Sequence, residues 1–169
     1  MNPISYVQGK QAEDLFVSIP NVELVRKATL NEDMLEHWDV LVNIKDFGTH
    51  KIDVKSKKRK YRHPQDTTTK NEAIWWELQT VKRPDGKNYT GWGVPNGIDR
   101  KIALQGNHSF VIVDPSVVYP EIMKNLQNSY GREYWQKCTR GTHNDLITSV
   151  PPKWIMQFVE HKLCFADQK

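Results

Sequence analysis

Asp39, Asp53 and Lys55 are the side chains in this sequence whose types and spacing could do chemistry. Two carboxylates and an amine on one face can hold a divalent cation beside a water and activate that water for attack. The stretch Trp38 to Asn43 alternates Asp39, Leu41 and Asn43 against Val40, Val42 and then Ile44, the period of a half-buried strand. Lys51 to Lys55 alternates Lys51, Asp53 and Lys55 against Ile52 and Val54. Between the two runs, Asp46-Phe47-Gly48-Thr49 supplies turn chemistry, with Gly48 free to take positive φ. An antiparallel hairpin about that turn sets Asp39 near Lys55 and Leu41 near Asp53. Asp39, Asp53 and Lys55 then converge on one face while Val40, Val42, Ile52 and Val54 fill the other.

The elements that must position this hairpin follow from the same periodicities. Pro3 suits the first turn of a helix, and Tyr6, Val7, Ala12, Leu15, Phe16 and Ile19 recur at helical spacing until Pro20 stops it. Gly9 and Glu13, four apart, share a face of that helix. Val22 to Ala28 reads as a strand, and Asn31 to His37 as a short acidic connection of about one helical turn. Beyond the hairpin, Glu72 to Val81, Ile98 to Leu104 and Ser109 to Val113 read as strands. Pro115 to Gln127 reads as an amphipathic helix, with Val118, Ile122 and Leu126 four apart. A short strand at Leu146 to Val150 and a helix opening at Pro151-Pro152-Lys153 end the chain. A helix, several strands and further helices predict an α/β fold around a mixed central sheet flanked by helices.

The totals set bounds. A chain of 169 residues with 38% hydrophobic and 26% charged residues predicts one domain over 1–169 that buries a core without staples. A mean hydropathy of -0.68 and no apolar run near ~20 residues argue against a membrane partner. Met1 to Ser5 lacks the basic and apolar regions of a secretory signal, which sets a cytoplasmic expectation. Cys138 and Cys164 make no disulfide framework. A net charge of +4 permits a polyanionic partner.

The order of these residues carries a resemblance. Gly9-Lys10-Gln11-Ala12-Glu13 on a first helix, then Asp39, then Asp53-Val54-Lys55, resembles the PD-(D/E)XK nuclease superfamily, of restriction-endonuclease-like fold. The helix motif is similar to that of small Holliday junction resolvase-like nucleases. Trp75-Trp76-Glu77-Leu78-Gln79, Gly91-Trp92-Gly93 and Asp99 resemble phage-encoded members. The resemblance spans roughly residues 5–115 and leaves 116–169 uncovered. Trp38 stands where the name-giving Pro would be, and Asp53 where Glu is commoner. The two strand acids are fourteen positions apart.

The resemblance implies a Mg²⁺- or Mn²⁺-dependent endonuclease that hydrolyses DNA, duplex or branched, in a bacterial or phage-infected cell. Asp39, Asp53 and the Val54 carbonyl would be metal ligands. Lys55 would orient the attacking water, and Glu13 would hold a water of the ion or a second ion. Glu77 and Gln79 share a face of the next strand and would extend the site if that face looks the same way; a rival register reads Asp53 as the first acid and Glu77-x-Gln79 as the second motif. Lys57, Lys58, Arg59, Lys60 and Arg62 leave directly from the site strand and could track a phosphate backbone, or simply guard a solvated edge strand. Cutting both strands suggests a homodimer. Trp92 could stack on a base, and Asp99 could serve either structure or catalysis. Cys138, His143, His161 and Cys164 have the residue types but not the tight spacing of a zinc site. The alternative function is a nucleic-acid-binding or recombination accessory protein of the same fold that does not cut. The plainest alternative for the hairpin is a surface Asp–Lys ladder contributing a few tenths of a kcal/mol.

Overall fold

The computed structural model describes residues 3–57, 74–80, 89–128, 135, 137–140 and 145–165. The chain groups into two compact units. The first comprises Met1–Lys57, Gly97–Asp114 and Phe158–Lys169, and the second Lys58–Asn96 and Pro115–Gln157. Because segments of the two alternate along the chain, no shift in composition marks a boundary.

The first unit is built on a six-stranded mixed sheet, and the fold is α/β. Helix α1 (Pro3–Val17) opens at Pro3, whose fixed φ suits a first turn, and closes before Pro20, where Ser18 N–H bonds to Asp14 O at 3.1 Å. Strand β1 (Val22–Lys27) leads through α2 (Leu30–Glu36) to β2 (Val40–Ile44) and β3 (Gly48–Lys55). Two short elements, β4 (Ile74–Thr80) and β5 (Tyr89–Thr90), intervene before β6 (Lys101–Gln105) and β7 (Ser109–Val113). The chain then forms α3 (Pro115–Asn128), β8 (Lys137–Arg140), β9 (Asp145–Val150), α4 (Pro152–Ile155) and β10 (Val159–Cys164). The expected C-terminal helix is therefore a single turn, and the last element is a strand. Val159-Glu160-His161-Lys162-Leu163 does alternate, the signal that the helix-opening prolines obscured.

The six strands run in the order β1-β2-β3-β6-β7-β10. All neighbours are antiparallel except β3 and β6, which are parallel with Asp53 opposite Ile102 and Lys55 opposite Leu104. A parallel pair requires a crossover, and here residues 58–96 of the second unit supply the chain that makes it. Helix α1 lies against β3 and β1. Ala12 and Phe16 from the helix, and Ile19 just after it, join Val40, Val42, Ile44, Ile52, Val54, Ala103, Phe110 and Ile112 in one core. Phe16 meets Phe110 edge-on at 5.2 Å, which seats the helix that carries Glu13.

The second unit holds an antiparallel sheet in the order β5-β4-β9-β8. Val118, Ile122 and Leu126 of α3 are buried, as their spacing predicts. Trp76 is fully buried, its indole N–H donating to Gly93 O at 2.9 Å. Among the described residues no helix is long and apolar enough to cross a membrane.

Candidate active site

The β2–β3 hairpin brings Asp39, Asp53 and Lys55 together, in a register that differs from the expected one. Val40 pairs with Ile52 and Leu41 with Lys51, so continuing one step sets Asp39 opposite Asp53, not opposite Lys55. The reason lies in the turn. Phe47 N–H closes on Ile44 O at 3.0 Å, and Asp46 takes a left-handed φ of 62° ahead of Gly48 at 102°. Asp and Gly tolerate that region better than most residues. The turn is thereby centred on Asp46, one residue earlier than expected, and the register moves by two. A two-residue shift preserves every face, so the valines still enter the core and the acids still share the other side.

Backbone bonds fix the first acid. Asp39 N–H donates to Ile52 O at 2.9 Å, and the Asp39 carboxylate accepts from Val54 N–H at 2.7 Å. Trp38, which directly precedes Asp39, is fully buried. Its ring lies under Arg26 at 4.7 Å and Lys51 at 5.0 Å, and its indole N–H donates to Glu36 at 2.9 Å. The residue preceding Asp39 is thus anchored by packing, charge and a hydrogen bond.

Asp53 is 2% exposed. Lys55 Nζ lies 2.5 Å from its Oδ1, and Arg100 Nη1 lies 3.8 Å from its Oδ2. That Oδ2 is buried and accepts no hydrogen bond from any described residue. Burial pushes the Asp39 carboxyl up to about 6, with the charge of Asp53 adding to the effect and Lys55 and the Val54 N–H opposing it. The pair therefore contains one acid that gives up its proton reluctantly and one buried carboxylate oxygen with lone pairs to spare.

Two residues of this neighbourhood escaped the sequence reading. Asp33, on α2, has its carboxyl raised above the ordinary range by desolvation and by the charge of Asp39, with Glu13 adding and Lys55 and His37 opposing. Asp33 lay in what read as a polar connection; its signal was the Thr29-x-x-Glu32 capping box that makes the segment a helix. Arg100 is the other. Its guanidinium is fully buried and feels Asp53, Asp114 and Asp39, whereas the neighbouring Asp99 is exposed. Arginine is almost never buried without a charge partner, and nothing in the local sequence announces one.

Glu13 is half-buried on α1, and its carboxylate pairs with Lys10 at 2.7 Å. Glu77 and Gln79 lie on β4, in the four-stranded sheet of the second unit. The neighbour of β3 on its far side is β6, so the strand order does not supply the rival register built on Glu77-x-Gln79. Of the basic run, Lys57 donates its N–H to the Gln105 side chain at 3.1 Å and pairs through Nζ with Asn107. Lys58, Arg59, Lys60 and Arg62 lie outside the described residues, as does His143. Trp92 is half-buried and packs on Trp76 at 5.1 Å.

A hard divalent cation takes oxygen ligands from one or two carboxylates and keeps several waters. Asp39, Asp53 and the Val54 carbonyl offer only hard oxygens, and Asp53 Oδ2, buried 3.8 Å from Arg100 Nη1, accepts no hydrogen bond from any described residue, so the residues present fit such an ion. Among the described residues no three His, Cys, Asp or Glu side chains are grouped to hold one metal. No family model, curated protein or solved structure matches the chain.

Proposed function

We propose that the chain is a metal-dependent endonuclease that hydrolyses DNA phosphodiester bonds, built like a PD-(D/E)XK nuclease. The observation that carries this reading is the pairing of Asp39 with a buried Asp53 that itself bears Lys55 at 2.5 Å. A surface ladder of Asp and Lys would be exposed and contribute almost nothing, whereas this one sits at the edge of the core and costs desolvation. The mixed sheet, the helix acid and the two strand acids also stand in the order that the resemblance implies.

When bound, Mg²⁺ or Mn²⁺ would relieve charge on the phosphate and supply an activated water. Asp39 and Asp53 would hold the ion, with Val54 fixing the Asp39 carboxylate through its N–H. Lys55, 27% exposed, can exchange its contact with Asp53 for the attacking water or the phosphate. Lys57 and the basic residues after it would meet the nucleic-acid backbone. Cleaving both strands would require two copies of the site.

The test is incubation with plasmid, linear and four-way-junction DNA in Mg²⁺, Mn²⁺ or EDTA, beside D53N and K55A. The expected result is cleavage in metal, none in EDTA, and at least a hundredfold loss in both variants. Cleavage that survives both substitutions sinks the site. Tight DNA binding without cleavage of any substrate supports the non-cutting alternative instead.

A further inference from the structure

We propose that Arg100 is a positioning residue of this site, the fixed cation that holds Asp53 in place so that Lys55 can leave it. The inference rests on the reading of the site given above. Asp53 carries two cations on its two oxygens, and they differ in kind. Lys55 reaches Oδ1 from a partly exposed position on the same strand, with its ammonium on a flexible stem. Arg100 approaches Oδ2 with no exposure at all. A guanidinium cannot shed its charge in a protein, so this one is a permanent positive charge inside the fold.

The surroundings of Arg100 hold it there. It directly precedes β6, whose first residue, Lys101, pairs in register with Ile52 beside Asp53. Lys101 in turn reaches Asp114 at 2.7 Å and Glu160 at 2.9 Å, pinning the start of β6 to β10 and to the residue after β7. The ion-paired neighbour fixes the backbone, and the backbone fixes the guanidinium. Removing Arg100 would leave Asp53 buried with Lys55 as its remaining close cation among the described residues. Lys55 would then be held on Asp53, and an ion would have to displace it from a carboxylate with no other cation beside it among the described residues.

This distinguishes positioning from simple repulsion. If Arg100 only opposed an incoming cation, deleting its charge would tighten metal binding. If it positions Asp53, deletion weakens it. Mn²⁺ affinity measured by calorimetry at pH 8 on the full chain separates the two, with wild type, R100M, R100K and K55M compared and each checked for folding by circular dichroism. The expected result is at least a tenfold loss of affinity in R100M. R100K, which restores a buried charge at a contact that is not bidentate, should lie within about threefold of wild type. K55M should bind as well as wild type or more tightly, because Arg100 still holds Asp53. Unchanged or tighter binding in R100M overturns the inference, and so does a tenfold loss in K55M. Should R100M fail to fold, the K55M result decides alone. A wild type that binds no Mn²⁺ and cuts nothing removes the underlying reading as well, whereas a cutting, Mn²⁺-binding wild type with an unaltered R100M removes only the role of Arg100.

Discussion

The backbone N–H of Val54 donates to the Asp39 carboxylate at 2.7 Å. Val54 lies between Asp53 and Lys55, so one bond ties the acid at the mouth of β2 to the segment that carries the other acid and the amine. The same bond explains how two acids can stay together. Asp53 repels Asp39, but the donor opposes that repulsion and sets where the carboxylate sits. In the proposed site, function and stability would pull in opposite directions at this point of the hairpin.

Asp39→Asn should therefore stabilise the fold while abolishing any metal-dependent activity. The Asp39 carboxyl titrates at about 6 in the fold against an ordinary 3.8, so the native state binds its proton more tightly than the unfolded chain does. Stability from that proton is fully present below about pH 3.8 and is lost as pH rises through about 6. At pH 8 the charged form costs on the order of 2–3 kcal/mol. An Asn side chain still offers Val54 an acceptor without the charge. Urea denaturation in EDTA should show D39N more stable by about 1–3 kcal/mol at pH 8 and matched to wild type at pH 4. A D39N protein less stable than wild type at pH 8 would contradict the account.

The site was more legible in the sequence than its surroundings were. Period-2 alternation identifies faces, and a register error of two residues leaves faces intact, so Asp39, Asp53 and Lys55 meet although the turn is centred on Asp46. Strand adjacency is another matter. Nothing near Asp53 announces that its parallel neighbour is β6, because that pairing spans a crossover through the second unit. Arg100 was hidden for the same reason: its partner is a carboxylate far away in sequence, and the exposed Asp99 beside it offered the more familiar chemistry. Asp33 was recoverable, since Thr29 and Glu32 spell out the cap of the helix that bears it. The strand β10 follows two prolines that open only one helical turn, too short for periodicity to register.

Trp38 should behave as a positioning residue for Asp39. It is fully buried, its ring lies close to both Arg26 and Lys51, and it is bonded to Glu36, which Lys51 also reaches at 2.9 Å. Trp38→Ala should cost about 3–5 kcal/mol through the cavity and the lost cation–π contacts. Trp38→Phe keeps a ring beside the cations and leaves Glu36 paired to Lys51, so its cost should be about 1–2 kcal/mol. Mn²⁺ affinity provides the second readout, with at least a tenfold loss in a folded W38A and less than a threefold change in W38F. Equal affinity in both would mean that Asp39 is held by the hairpin alone.

Gly93 should tolerate no side chain. A Cβ there would lie 2.0 Å from the Trp76 indole nitrogen and 2.7 Å from Glu77 O, and the indole already donates to the Gly93 carbonyl. Since Trp76 is fully buried, the ring has little room to yield. Gly93→Ala should destabilise the second unit by at least about 1–3 kcal/mol, the usual range for overpacking. The tryptophan emission should shift to the red as Trp76 loses its packing and its bond. A G93A protein with native emission and an unchanged urea midpoint would show that the loop can lift off β4.

The cap of α2 supplies a prediction with a definite sign in pH. This seven-residue helix buries none of its residues, and Leu30 and Leu35 stand exposed, so packing contributes little to it. Its support is the box in which Thr29 accepts from Glu32 N–H while Glu32 accepts from Thr29 N–H and from both ends of the Arg26 guanidinium, at 2.9 and 2.7 Å. Arg26 first, then the Thr29 N–H, hold the Glu32 carboxyl down to about 2 from an ordinary 4.5. A depressed carboxyl contributes stability that is present above about pH 4.5 and fades as pH falls toward 2. Amide exchange across residues 30–36, corrected for intrinsic rates, should therefore lose protection over that window in wild type but not in Glu32→Gln. Thr29→Ala should lower protection by about 1 kcal/mol at neutral pH. Because α2 carries Asp33, whose charge reaches Asp39 and Lys55, fraying of this turn should also alter Mn²⁺ affinity. Protection that is identical in wild type, T29A and E32Q at every pH would show that α2 is held by something other than its cap.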